Sequence, residues 1–295
     1  MAGVIVVLAV AVPQSGAQQP PPPAAPQLRI GFPKPLFRDV YPAMIDVAAQ
    51  PFKQTILKTV QMNGSLEIVE DYRALATKIK NSQIDVAVFH GFEYSWVRDD
   101  KQMTPLVITE PNCGKVQACL VVNFASTAKG PKDLEGECVA IPKGSKAHCE
   151  MFLERIRAGL PADRCCPVKK TRKQTPEEVL DEIAGGDPDS PQAALVDISA
   201  VLIYQANKPG LGKCLKILTQ SELLPSAVVV CRKGALSTHQ MNAIKKELEN
   251  CENTPQGSLF LTFWNLKRFT SLDDKYFSLL DKCGKTYPEP EAPKK

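Results

Sequence analysis

Residues 142–148, PKGSKAH, gather residue types suited to holding a small anion. They join a strand-like run, residues 138–141, to a helical stretch, residues 146–158. Gly144 lets backbone come close to a ligand, and Ser145 reads as the helix cap. The amides of Lys146 and Ala147 have no intrahelical acceptor, and the helix dipole adds positive potential there. Lys143, Lys146 and His148 add side-chain charge or donors. The competing reading is an ordinary cap with exposed lysines. A comparable junction stands at His90-Gly91, ahead of a helix over residues 92–98. Phe32, Phe92 and Tyr94 are candidate walls for a ligand, or core residues. Lys34 is a candidate charge at the same cleft. Asp197 and Ser199 follow a third strand; Asp197 reads foremost as a helix cap, otherwise as an acceptor for a protonated oxyanion or an amine.

The elements that would position these residues occur in two similar blocks. Residues 71–96 and 176–205 each read as amphipathic helix, short break, buried apolar strand and second helix. Strands and helices alternate through most of the chain, which predicts an α/β fold with mainly parallel sheets flanked by helices. Ligands in such sheets sit beyond the carboxyl ends of the strands. Two such units predict two lobes facing each other across a cleft. Lobe 1 is expected over 28–111 plus 232–285 and lobe 2 over 112–231. A flexible tail is expected over 286–295. Helical periodicity over residues 39–60 is expected to break or kink at Pro51. The stretch after Ser237 reads as mostly helix.

The chain has 295 residues, 44% hydrophobic and 23% charged, with a net charge of +4. That composition is ordinary for a globular protein, and so small a charge without a basic run argues against nucleic acid. The motifs GxSxG, HExxH, GxGxxG and the P-loop do not occur, so no enzyme signature is present. The histidines, His90, His148 and His239, lack metal-ligand spacing, and no cofactor is expected.

Residues 4–12, VIVVLAVAV, followed by Ser15-Gly16-Ala17, read as an export signal ending at residue 17, although no basic residue precedes the apolar run. Residues 18–27 read as a proline-rich linker. Ten cysteines agree with an oxidising compartment. The expected pairs are Cys113 with Cys119, Cys251 with Cys283 and Cys214 with Cys231. Cys138, Cys149, Cys165 and Cys166 would then pair within one region.

Four patches carry a family resemblance: LRIGF, ALATKIKNSQIDVAVFHGFEY, STAKGPKDLEGECVAIPKGSKAH and ALVDISAVLIYQ. Together they resemble phosphate/phosphonate-type substrate-binding proteins of ABC transporters, within the two-lobed periplasmic-binding-protein-like fold (type II). The resemblance implies a binding protein rather than an enzyme. It implies capture of phosphonate, phosphite or phosphate, an ABC permease as partner, a monomeric state and a periplasmic or otherwise extracytoplasmic location. It also implies anion binding by hydroxyls and amides at helix N-termini, here Ser145, Lys146, Ala147, His90 and Gly91. The sequence is thinner in hydroxyls there than the family pattern, and His148 stands where a small hydroxyl residue is common. A ligand-sensing module without a transporter, and a metal- or amine-binding member of the fold, are the alternatives.

Overall fold

The computed structural model describes residues 27–37, 40, 42–99, 101–134, 138–142, 145–159, 168–170, 175–187 and 189–291. The expected signal and all of the expected linker but Gln27 lie outside these residues, as do Lys143, Gly144, Cys165 and Cys166. The chain lays down β1 (Gln27–Pro33), α1 (Ile45–Val60), β2 (Asn63–Val69), α2 (Tyr72–Lys80), β3 (Val86–Phe89), α3 (Gly91–Val97) and β4 (Met103–Pro111). It then builds β5 (Ala118–Asn123), β6 (Val139–Ile141), α4 (Ala147–Ala158), β7 (Val168–Lys170) and α5 (Pro176–Gly185). Next come β8 (Ala193–Asp197), α6 (Ile198–Asn207), α7 (Pro209–Gly212) and β9 (Leu215–Gln220). It closes with β10 (Val228–Arg232), α8 (Thr238–Glu249), α9 (Pro255–Phe263), β11 (Leu266–Thr270) and α10 (Asp274–Thr286).

Two sheets result, in the orders β11-β4-β10-β3-β1-β2 and β7-β6-β8-β5-β9. Both are mixed rather than mainly parallel in their pairing. β1 runs parallel to β2 and β3, but β10 runs antiparallel to both β3 and β4. β6 runs parallel to β7 and β8, while β5 runs antiparallel to β8 and β9. The reason lies in the crossings. A strand arriving from the other lobe enters at the seam, where the carboxyl ends of β1, β3, β6 and β8 lie, so it runs the opposite way.

Each sheet is covered on both faces, as alternation along its strands requires. Leu28, Ile30 and Phe32 of β1 pack with Phe52 and Ile56 of α1 and with Phe260 of α9. Ala87, Phe89 and Val230 pack the other face against Leu75 and Ile79 of α2 and Leu280 of α10. In the second sheet Leu120 and Val122 face α4, whereas Cys119 and Val121 face α5 and α6. Each such buried aliphatic side chain contributes about 1.5–3 kcal/mol. Asp85, just ahead of β3, clamps the first sheet. Its carboxylate accepts from the Arg29 amide at 3.0 Å, from Arg29 Nε at 2.9 Å and from Arg232 Nη2 at 2.8 Å. Burial pushes this carboxyl up, but the Arg29 and Arg232 bonds outweigh it and hold it below the usual carboxylate range.

Several expectations are corrected. Pro51 neither breaks nor ends α1; the neighbouring Ala48, Ala49, Phe52 and Ile56 are all buried, and that packing opposes the local cost of about 3 kcal/mol. Residues 266–270, expected as helix, form edge strand β11 on β4. The eight cysteines among the described residues are free thiols. Cys231 and Cys251 pack in the core over α1, Cys214 packs in the second sheet's cluster and Cys283 at the seam, so the expected partners Cys214 and Cys231, and Cys251 and Cys283, sit in different clusters and are unbonded. Cys113 packs against the same cluster as the buried Cys119, but both are free thiols, and Cys113 Sγ contacts the Lys115 carbonyl at 3.0 Å. Cys138 and Cys149 are likewise unbonded. Residues 287–290 are not a loose tail: Glu289 accepts from Tyr72 Oη at 3.0 Å and from Arg73 Nε at 2.7 Å, and the Pro290 carbonyl accepts from Arg73. No helix among the described residues is long and apolar enough to cross a membrane.

Candidate functional site

The two echoing blocks fold alike, as α2–β3–α3 and α5–β8–α6. Asp71 caps α2, accepting from the Ala74 amide at 2.8 Å. Thr175 caps α5 in a reciprocal box with Glu178, and Gly186 ends it at φ 66°, a conformation that favours glycine. β3 and β8 therefore deliver His90 and Asp197 to the starts of α3 and α6, and β6 leads to α4 in the same way.

Four of the expected residues meet in the second lobe. Asp197 caps α6, its Oδ1 accepting from the Ser199 amide at 2.8 Å and from the Ser199 hydroxyl. Lys146 Nζ lies 3.5 Å from the same oxygen. His148 Nε2 lies 2.8 Å from Asp197 Oδ2, off the line of a good hydrogen bond. Burial would push the Asp197 carboxyl up; the His148 contact, the Lys146 charge and the Ser199 bonds outweigh it and hold it well below the usual carboxylate range. Burial pulls His148 down, against the opposing pull of Asp197. Lys146, not Ser145, is the residue ahead of α4, and it makes no side-chain cap bond. Ser145 is buried with its amide on the Pro142 carbonyl at 2.9 Å, and its hydroxyl bonds the Cys149 thiol.

The first lobe presents His90 to this cluster. His90 Nδ1 lies 3.0 Å from Glu93 Oε2, and its ring stacks on Phe92 with centroids 5.1 Å apart. Phe92 also shares an apolar cluster with Ala147 and Met151 of α4, so the lobes touch here. Gly91 has a packing reason of its own: a Cβ there would lie 2.3 Å from the carbonyl oxygens of both Pro225 and Ser226.

Other expected residues lie elsewhere. Phe32 packs edge-on against Phe37 and Phe52 in the core. Tyr94 is 1% exposed and packs on Phe89. Lys34 is exposed at the end of β1 and pairs with Glu70 at 3.7 Å. Glu93, which stands among the residues after β3 but was not expected to bind, is buried beside His90; its sequence signal is its place four residues after the strand end at Phe89. A groove of about 570 Å³ on the outer side of the first lobe, between α2, the end of α3 and Glu289, is lined by none of the expected ligand residues.

The chain passes between the two sheets twice, over residues 112–117 outward and 221–227 back; β10, which falls inside the 112–231 span expected for the second lobe, pairs with β3 and β4 in the first sheet. The two crossings pair with each other: the Leu224 amide donates to the Val116 carbonyl at 3.0 Å and the Ser221 amide to the Ala118 carbonyl at 2.9 Å. Gln117 Nε2 donates to the Ser221 carbonyl at 2.6 Å. This is the form of a two-stranded hinge.

A sequence profile of the family described as "ABC transporter, phosphonate, periplasmic substrate-binding protein" matches residues 39–277. The chain belongs to this family. These phosphonate-type substrate-binding proteins are not enzymes; they bind a small solute and deliver it to a permease, and the family implies an extracytoplasmic location. Solved structures agree on the fold. XAC2383 of Xanthomonas citri, bound to chloride, is 15% identical with a TM-score of 0.63, covering 89% of this chain and 98% of that one. PhnD1 of Prochlorococcus marinus, in complex with methylphosphonate, is 14% identical with a TM-score of 0.61, covering 88% and 97%. The PA3383 phosphonate-transporter binding protein of Pseudomonas aeruginosa is 13% identical with a TM-score of 0.57, covering 89% and 88%. No curated protein matches the sequence.

Proposed function

We propose that this substrate-binding protein captures a small oxyanion, a phosphonate, phosphite or phosphate, between its lobes for uptake by an ABC-type importer. The observation that carries the reading is the grouping of Lys146, His148, Asp197 and Ser199 at the carboxyl ends of β6 and β8, with His90 stacked on Phe92, which packs against α4. The first-turn amides of α4 and the Lys146 ammonium supply donors, and the starts of α4 and α6 add positive potential. Asp197 is ionised and already engaged by Lys146 and Ser199. It suits a monoprotonated oxyanion, which can donate its one proton to that carboxylate. The methylphosphonate complex of PhnD1 supports the same ligand class.

A micromolar ligand requires about 8 kcal/mol, and one charge-assisted hydrogen bond contributes roughly 1.5–3 kcal/mol. At least three donors must converge, which calls for both lobes and for closure of the hinge. Isothermal titration with methylphosphonate, phosphite and phosphate tests the reading. Binding at micromolar strength or tighter is expected with one of them, weakened about tenfold or more by Lys146→Ala. Absence of binding for all three anions removes this ligand class.

A further inference from the structure

Helix α4 has two ends that matter. Its first turn carries His148, with Lys146 just ahead of it, at the seam. Its last turn carries Arg155, which reaches out of the second lobe. Arg155 Nη1 donates to Glu222 Oε2 and, at 3.1 Å, to Tyr287 Oη. The guanidinium also lies over the Tyr287 ring, 5.0 Å from its centroid, a cation–π contact. Tyr287 Oη in turn donates to Glu222 Oε2 at 2.7 Å.

These three residues belong to three different parts of the molecule. Arg155 is on the second lobe, Glu222 is on the return crossing, and Tyr287 follows α10, which packs on α3 of the first lobe. Tyr287 is held firmly on its own side. It is 3% exposed, its amide donates to the Cys283 carbonyl at 2.8 Å, and its carbonyl accepts from Trp96 Nε1 at 2.7 Å. Beneath the trio, Phe92, Leu224, Cys283 and Tyr287 form one apolar cluster with Ala147 and Met151 of α4. Opening the hinge would draw α4 away from α3 and pull Arg155 off Tyr287.

The geometry points to a latch: Arg155, Glu222 and Tyr287 lock the second lobe onto the C-terminal end of the first and set the fraction of molecules that is closed without ligand. The apparent dissociation constant is the intrinsic one divided by the binding-competent fraction, so the latch tunes uptake without touching the solute. The electrostatics agree. Arg155 holds the Glu222 carboxyl down to about 2, and burial together with Glu222 raises the Tyr287 hydroxyl. The inference stands apart from the choice of ligand, because it concerns the ligand-free protein.

Hydrogen exchange of the ligand-free full chain, read by mass spectrometry, tests it with Arg155→Met and Tyr287→Phe. Both variants keep the apolar bulk of the seam. Peptides over residues 91–96, 145–151 and 221–227 are expected to exchange about 5- to 10-fold faster, the range for one partly exposed charged contact. Peptides of β5 and β10 are expected to be unchanged. The double variant should exchange no faster than Arg155→Met alone, since both substitutions disable one device. Unchanged seam exchange overturns the latch. Equal acceleration in β5 and β10 also overturns it, because that signals global destabilisation, and so does simple addition of the two effects.

Discussion

Gly91→Ala separates two reasons for a glycine at the seam. One reason is close approach of a ligand to backbone. The structure supplies another, the return crossing, because an added Cβ would stand 2.3 Å from the oxygens of Pro225 and Ser226. Ordinary contact begins near 3.4 Å, so the crossing or α3 must retreat by about 1 Å, an overpacking strain of about 1–3 kcal/mol. The retreat has a second cost. The Ser226 carbonyl accepts from Tyr276 Oη at 2.9 Å, and Tyr276 is buried against Leu280 and Ala87. Losing that partner would cost roughly 1–3 kcal/mol. The total is about 2–6 kcal/mol, a fall in Tm of roughly 4–12 °C at about 2 °C per kcal/mol for a chain of this size. The assay is thermal and urea denaturation without ligand, beside Tyr276→Phe and the double variant. Tyr276→Phe should already incur part of the Gly91→Ala loss, so the pair should be less than additive. A Gly91→Ala protein within about 0.5 kcal/mol of the original stability refutes the packing reason and returns Gly91 to the ligand.

Asp85→Asn should destabilise by about 2–3 kcal/mol in urea, less than a fully buried pair because Arg29 and Arg232 reach solvent; a change under about 0.5 kcal/mol would show the clamp to be idle. Asp197→Asn keeps a good cap for α6 but removes the charge that Lys146 meets. The depressed folded-state value of Asp197 means that its contribution is fully present above the unfolded value of about 3.9 and is lost as pH falls through the lower folded value. The stability gap between Asp197→Asn and the original protein should therefore be full at pH 7 and close steadily below about pH 4. A gap independent of pH would assign the loss to shape instead.

Local pattern made much of the fold legible. The echo between residues 71–96 and 176–205 folds as two helix–strand–helix units because amphipathic period and capping residues act within a few positions. Asp71, Thr175 and Asp197 cap the helices they precede. Side-chain direction was harder to read. Phe32 stood at a strand end, yet in LRIGF it shares parity with Leu28 and Ile30, and all three face the core; that parity was the available signal. Residues 266–270 form an edge strand in which Phe269 is buried and Lys267, on the same face, is exposed, so no clean two-residue period marked the strand, and helices on both sides hid it. Cysteine spacing misled because distance along the chain carries no information about which face of which sheet a thiol occupies.

From the sequence alone came the α/β class, the two repeated units, the strand ends where chemistry is expected and the family likeness; each rests on short-range pattern. The tertiary structure decided which residues meet. Lys146, His148, Asp197 and Ser199 come together, while Phe32 and Tyr94 turn inward. The latch joins positions 155, 222 and 287, separations over which no periodicity speaks. Such contacts are set by the packing of lobes and the path of the crossings, which only the folded chain contains.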